Sequence, residues 1–179
     1  TFQNTAVLPE STDFVGVTEG TTFVRQPLVR YSTPLGKGVT FHVSAENGET
    51  ASALTTGPAL TENDDDGLPD IAARVNISGA MGDFAIAGVF RQLKVDNGIL
   101  DDTASGYGIS ASGKINLTSN KAYNISFMAT YGSGIGRYVG LNFAPDAIFD
   151  TTGKLHTVDN FAAFGAVRLG WTPTVRSNI

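Results

Sequence analysis

Cysteine is absent from the 179-residue sequence. Its absence excludes a disulfide framework, Cys-ligated zinc or iron–sulfur centres, and thiol catalysis. Long hydrophobic runs are absent too. No stretch approaches the roughly 18 consecutive apolar residues that a membrane-crossing helix needs, although a β-barrel leaves no such mark. Charge is sparse: 16% of residues are charged, and the net charge is −5. No run of Lys or Arg offset by so acidic a chain invites nucleic acid. The N-terminal Thr1-Phe-Gln-Asn-Thr-Ala6 has neither a basic leader nor an apolar core, so any signal peptide has been removed or lies outside this sequence. No G-x-S-x-G nucleophile motif occurs. The two histidines, His42 and His156, fall on a strand face and in a loop, which leaves a paired metal site unsupported. The reading is of a protein that is not an enzyme.

What is abundant is glycine, at 21 residues, and phenylalanine, at 11. From Phe23 onward apolar side chains recur at every second position, the period of a strand with two unlike faces. Seven such segments are expected, at residues 21–33, 39–46, 70–78, 84–95, 105–117, 122–133 and 158–171. In the second, Val39, Phe41, Val43 and Ala45 oppose Thr40, His42, Ser44 and Glu46. In the fifth, Tyr107, Ile109, Ala111, Ile115 and Leu117 oppose Gly108, Ser110, Ser112, Lys114 and Asn116. The first alternates poorly, because Arg25 and Pro27 share the face of Val29.

Connection lengths alternate as well. Short turns fall at 34–38, 79–83, 118–121 and after 171, and long outer loops near 1–20, 47–69, 96–104 and 134–157. Short periplasmic turns and long outer loops mark an up-and-down outer-membrane barrel, and aromatics beside both kinds of connection supply its two girdles. The fold class is therefore all-β: an antiparallel up-and-down transmembrane β-barrel, with the whole chain one partial barrel domain. The competing reading is a soluble antiparallel sandwich or barrel with the apolar face turned inward. Seven strands cannot close an even-stranded barrel. The chain is expected to be part of a longer polypeptide, the alternative being several chains that each contribute strands to one barrel.

With the apolar face in lipid, the other face lines a lumen. It carries Arg30, Arg74, Arg91, Lys114 and Arg168, each about three to eight residues from its short turn, so the five would form a belt in the periplasmic half of the pore. Fixed positive charge in a lumen attracts anions. The plainer alternative is that each cation pairs locally with a carboxylate such as Glu46. The segment Glu62-Asn-Asp-Asp-Asp-Gly-Leu-Pro-Asp70 places Glu62, Asp64, Asp66 and Asp70 around Gly67, close to the spacing of calcium loops. Its first carboxylate is Glu, Ala73 stands where the twelfth-position ligand belongs, and no helix flanks it. A solvated acidic loop is the simpler reading, with calcium a minor hypothesis and no other cofactor expected.

At Thr18-Glu-Gly-Thr-Thr-Phe-Val-Arg-Gln-Pro-Leu-Val-Arg-Tyr31 and at Asp66-Gly-Leu-Pro-Asp-Ile-Ala-Ala-Arg74 the chain resembles the DcaP-like porins of Gram-negative bacteria. Gly140-Leu-Asn-Phe-Ala-Pro-Asp146 is similar in kind. The resemblance spans most of the chain, and its specificity rests on the first two stretches. It implies a barrel of about sixteen strands, a homotrimer in the bacterial outer membrane amid lipid and lipopolysaccharide, and passive uptake of small anionic solutes such as dicarboxylates. It implies lumen roles for Arg25, Arg30 and Arg74, which stand within the matching motifs. A structural or adhesive barrel whose loops bind a partner is the alternative from another class.

Overall fold

The computed structural model describes residues 1–9, 20–54, 66–139 and 144–179, and the backbone alone of residues 60–63. Among the described residues there are twelve strands: β1 (Leu28–Gly36), β2 (Val39–Glu46), β3 (Thr50–Leu54), β4 (Leu60–Asn63), β5 (Asp70–Gly79), β6 (Gly82–Asp96), β7 (Asp101–Asn116), β8 (Asn124–Ser133), β9 (Ala147–Phe149), β10 (Leu155–Thr157), β11 (Asp159–Gly170) and β12 (Arg176–Asn178). Eight of them make one antiparallel sheet in the order β1-β2-β5-β6-β7-β8-β11-β12. Among the described residues the sheet does not close on itself. The other four form a second sheet, β10-β9-β3-β4, in which β3 and β9 run parallel.

The seven expected strands are the first seven members of the large sheet, and their faces follow the sequence alternation. Differences lie at the ends. The first strand starts at Leu28 rather than 21, because Arg25 and Pro27 break the alternation; Thr22 makes only an isolated bridge to Val139. Pro34 lies near the turn end of β1, beside a register shift between Pro34 and Gly36, where a missing ladder N–H is tolerated. An eighth, three-residue strand follows the Thr172-Pro-Thr174 break. Tight turns join β1 to β2 and β5 to β6. In the latter, Gly79 pairs with Gly82, whose φ of +144° and closeness to the Lys114 carbonyl admit no side chain.

The burial pattern of this sheet is inverted relative to a soluble one. Val29 is 80% exposed, Ile86 62% and Phe161 72%, while Ser44, Ser110, Ser112, Ser126 and Thr130 are buried on the opposite face. A sheet folded in water buries its largest apolar side chains. A sheet solvated by hydrocarbon turns them out. The exposed aromatics are also neighbours across the ladder, since Phe90 pairs with Tyr107 and Tyr131 with Phe161, so they make a continuous band near the long-connection ends of β6, β7, β8 and β11. Such a band belongs at a membrane–water interface.

The long connections differ from expectation. Loops 47–69 and 134–157 read as polar stretches, yet they supply all four strands of the second sheet, which lies over the inner face of the wall. Phe149, Leu155 and Ala147 pack against Leu93 and Val95 of β6. The stretch 96–104 is mostly strand: only residues 97–100 turn, with Asn97 Oδ1 accepting from the amides of Ile99 and Leu100 at 3.0 and 2.8 Å. Residues 1–9 likewise run along the inner face. Phe2 sits among Ala72, Ala87, Val89, Ile135 and Tyr138, its ring edge-on to that of Tyr138 at 5.4 Å.

Candidate pore-lining site

The inner face of the wall is polar by position: the pleat puts Ser44, Arg74, Asn76, Ser110, Ser112, Lys114, Asn124, Ser126 and Arg168 on the side away from the exposed apolar residues. Two groups of cations form there. Arg30 on β1 and Arg74 on β5 line one cleft of about 210 Å³ together with Gln3, Gln26 and Glu46. Arg30 is exposed, and Arg74 donates from Nε to Asn76 Oδ1 at 2.7 Å and from Nη1 to the Gln3 carbonyl. Lys114 and Arg168 line a second, smaller cleft of about 50 Å³ with Asn124 and Ser126, and Lys114 Nζ donates to the Ala6 carbonyl at 2.8 Å. The described residues 1–9 thus take up hydrogen bonds from two of the expected lumen cations through the Gln3 and Ala6 main-chain carbonyls.

Glu46, the carboxylate named as a local partner, accepts from the Thr1 main-chain nitrogen, from Ser44 Oγ at 2.6 Å and from Gln26 Nε2 at 2.8 Å. Arg25 lies ahead of β1, exposed, with its guanidinium 5.5 Å over the Phe23 ring.

Arg91 departs from the belt altogether. Its side chain is fully buried and forms ion pairs with two carboxylates, Asp70 at 2.9 Å and Asp146 at 2.8 Å. The same guanidinium donates from Nη1 to the Gly134 carbonyl at 2.8 Å and from Nη2 to the Glu49 carbonyl at 2.6 Å, and it lies 5.2 Å over the Tyr138 ring. Tyr138 donates its hydroxyl to Asp70 Oδ2 at 2.7 Å. Burial first, and the Asp70 carboxylate second, push the Tyr138 phenol far above its ordinary pKa, so it stays a donor. Asp146 accepts the Arg137 amide on Oδ1 and the Ala51 amide on Oδ2, and Arg137 pairs with Glu49 at 2.6 Å. The cluster therefore holds two cations and three carboxylates, so Arg91 presents no free positive charge to a lumen. Strand parity placed Arg91 on the correct face. What parity could not show is that two distant connections fold over it.

Of the four candidate calcium ligands, the side chain of Glu62 and the whole of Asp64 lie outside the described residues. Asp66 accepts from Thr50 Oγ1 at 2.8 and 3.0 Å and from the Lys94 amide at 2.6 Å, and burial raises its pKa. Asp70 is committed to Arg91 and Tyr138. These two carboxylates are thus engaged in fixing the loop and the buried arginine. Sequence reasoning passed over Glu49, Arg137 and Tyr138. Asp146 it met only as the last residue of a quoted motif.

An antiparallel wall with apolar side chains turned outward and polar ones inward is the architecture of a transmembrane β-barrel. Among solved structures, the chain is similar to the outer membrane channel DcaP of Acinetobacter baumannii, at 22% identity and a TM-score of 0.83. The match covers 99% of this chain and 48% of the channel's, so the chain has the fold of about half of that barrel. No protein-family model and no curated protein matches the sequence.

Proposed function

We propose that this chain is part of the wall of an outer-membrane diffusion channel in a Gram-negative bacterium, a homotrimeric porin that favours small anionic solutes of the dicarboxylate kind. The observation that carries the reading is the inverted wall: large apolar residues outward at the level of lipid, serine, threonine and basic residues inward. The fold shared with an outer membrane channel supports it. The anion preference rests on the pairs Arg30 with Arg74 and Lys114 with Arg168, which stand side by side in their clefts. Neighbouring fixed cations in a narrow, low-dielectric passage raise the local concentration of anions and lower their barrier. The lumen supplies solvation and charge, and no chemical step is assigned to any residue.

Liposome swelling tests the selectivity. Full-length protein is expected to pass a small dicarboxylate faster than an uncharged solute of the same size. Replacing Arg30→Ala together with Arg74→Ala is expected to lower that ratio while leaving the uncharged rate in place. An unchanged ratio in the double variant, or a preference for cations in the wild type, overturns the anion claim.

A further inference from the structure

From the geometry we infer that Arg91 is a clamp, a positioning residue that fixes both long connections onto the inner face of the wall and thereby sets the open cross-section beside β5, β6 and β7. The inference rests on the channel reading for its consequence, while the clamp itself is a matter of contacts.

An arginine side chain offers five N–H donors in a rigid planar fork, so one residue can join several acceptors in fixed directions. Arg91 uses that fork on four acceptors in three separate pieces of chain. Asp70 belongs to the neighbouring wall strand, the Glu49 carbonyl to the first long connection, and the Gly134 carbonyl and Asp146 to the second. The two connections are already one body. The Asp146 amide donates to the Ala51 carbonyl at 2.7 Å, the Ala51 amide returns to Asp146 Oδ2 at 3.0 Å, and β3 pairs with β9. Other ties to the wall exist in the apolar contacts of Leu93 and Val95, in the bonds of the Lys94 amide to Asp66 and Thr50, in the Leu155 amide bond to Asp102 at 2.8 Å and in the Tyr138 hydroxyl bond to Asp70. Apolar contacts are non-directional, and each of these polar bonds reaches only one connection. Arg91 directs both connections and the wall to one point. Because the pairs are fully buried, neutralising Asp146 or removing the fork weakens several charge-assisted hydrogen bonds at once in a dry site, which the loop body relieves by detaching.

The test uses the full-length protein in lipid. Asp146→Asn keeps the side-chain shape and removes one charge; Arg91→Lys keeps the charge and removes the fork; Ile99→Ala, at a solvent-facing turn, is the control. Hydrogen exchange of residues 50–54 and 146–149 is expected to accelerate by about a hundredfold in the first two variants, with residues 107–113 of the wall unchanged. Single-channel conductance is expected to rise, with fluctuating current, as the freed sheet leaves the lumen. If Arg91→Lys does not assemble, Asp146→Asn still decides. Unchanged exchange in the loop residues overturns the clamp. Accelerated exchange with wild-type conductance and noise overturns its role in setting the cross-section. Absence of conductance in the wild type overturns the channel reading instead, and the clamp is then decided by the exchange data alone.

Discussion

Ile86 separates a wall in lipid from a wall in water. It is 62% exposed on the outer face of β6, between Phe84 toward the short turn and Phe90 in the aromatic band. Phe84 and Phe90 are roughly 20 Å apart along the strand at about 3.3 Å per residue, or roughly 15 Å in depth at the usual tilt of about 40°. Ile86 therefore sits inside the apolar band. Replacing it with Arg costs about 2–4 kcal/mol at a bilayer midplane and about 0–1 near the interface. For Ile86→Arg we expect about 2 kcal/mol, roughly a thirtyfold fall in the folded-to-unfolded ratio at about 1.4 kcal/mol per factor of ten. Ile99→Arg is the matched control: Ile99 is 91% exposed, but it lies on the turn beyond the band. A surface change of that kind alters stability by no more than about 0.5 kcal/mol. The assay is urea unfolding of full-length protein in phospholipid vesicles, followed by heat-modifiable gel mobility. An Ile86→Arg variant no less stable than Ile99→Arg would refute the lipid-facing assignment.

Two further outcomes follow from local geometry. A Cβ on Gly113 would meet the Phe127 ring at 2.6 Å and the Phe84 ring at 2.8 Å, because both rings lie across this outward position from the flanking strands. Gly113→Val is expected to cost about 1–3 kcal/mol in the same urea assay, and adding Phe127→Ala should recover part of it; a neutral Gly113→Val contradicts the packing. In the β9–β10 turn, Asp150 accepts from the Thr152 hydroxyl at 2.6 Å, from the Thr152 amide at 2.8 Å and from the Lys154 amide at 3.0 Å. The Thr152 hydroxyl foremost, then the Lys154 amide, hold its carboxyl far below the usual range. With the folded pKa lowered, the stabilisation is complete above the ordinary aspartate value of about 3.9 and is lost as pH falls through the depressed one. The amide exchange rates of Thr152 and Lys154, taken as a ratio of wild type to Asp150→Asn, should rise below about pH 4; a flat ratio shows that the carboxylate does not hold the turn.

The wall was legible because a strand writes its two faces into adjacent residues: Val39 to Ala45 against Thr40 to Glu46 needs no tertiary knowledge to read. The second sheet was not. Thr50–Leu54 carries mostly small residues, β9 and β10 are three residues each, and β3 finds its parallel partner across about 95 positions, so no local periodicity announces the pairing. The cations divide along the same line. Arg30, Arg74, Lys114 and Arg168 are on the face where the pleat puts them, and the N-terminal segment completes their clefts. The fate of Arg91 depends on Asp146 and on the Glu49 carbonyl, which reach it only once the long connections fold inward. The N-terminal residues were equally opaque, since Phe2 has no periodic context and is buried by tertiary contact with Tyr138.

Planar-bilayer recording of the intact, full-length protein tests the central claim most directly. An outward-apolar, inward-polar wall around water predicts discrete conductance steps, with a reversal potential in a salt gradient set by the anion. Folded protein that inserts into the bilayer and passes no current would contradict it.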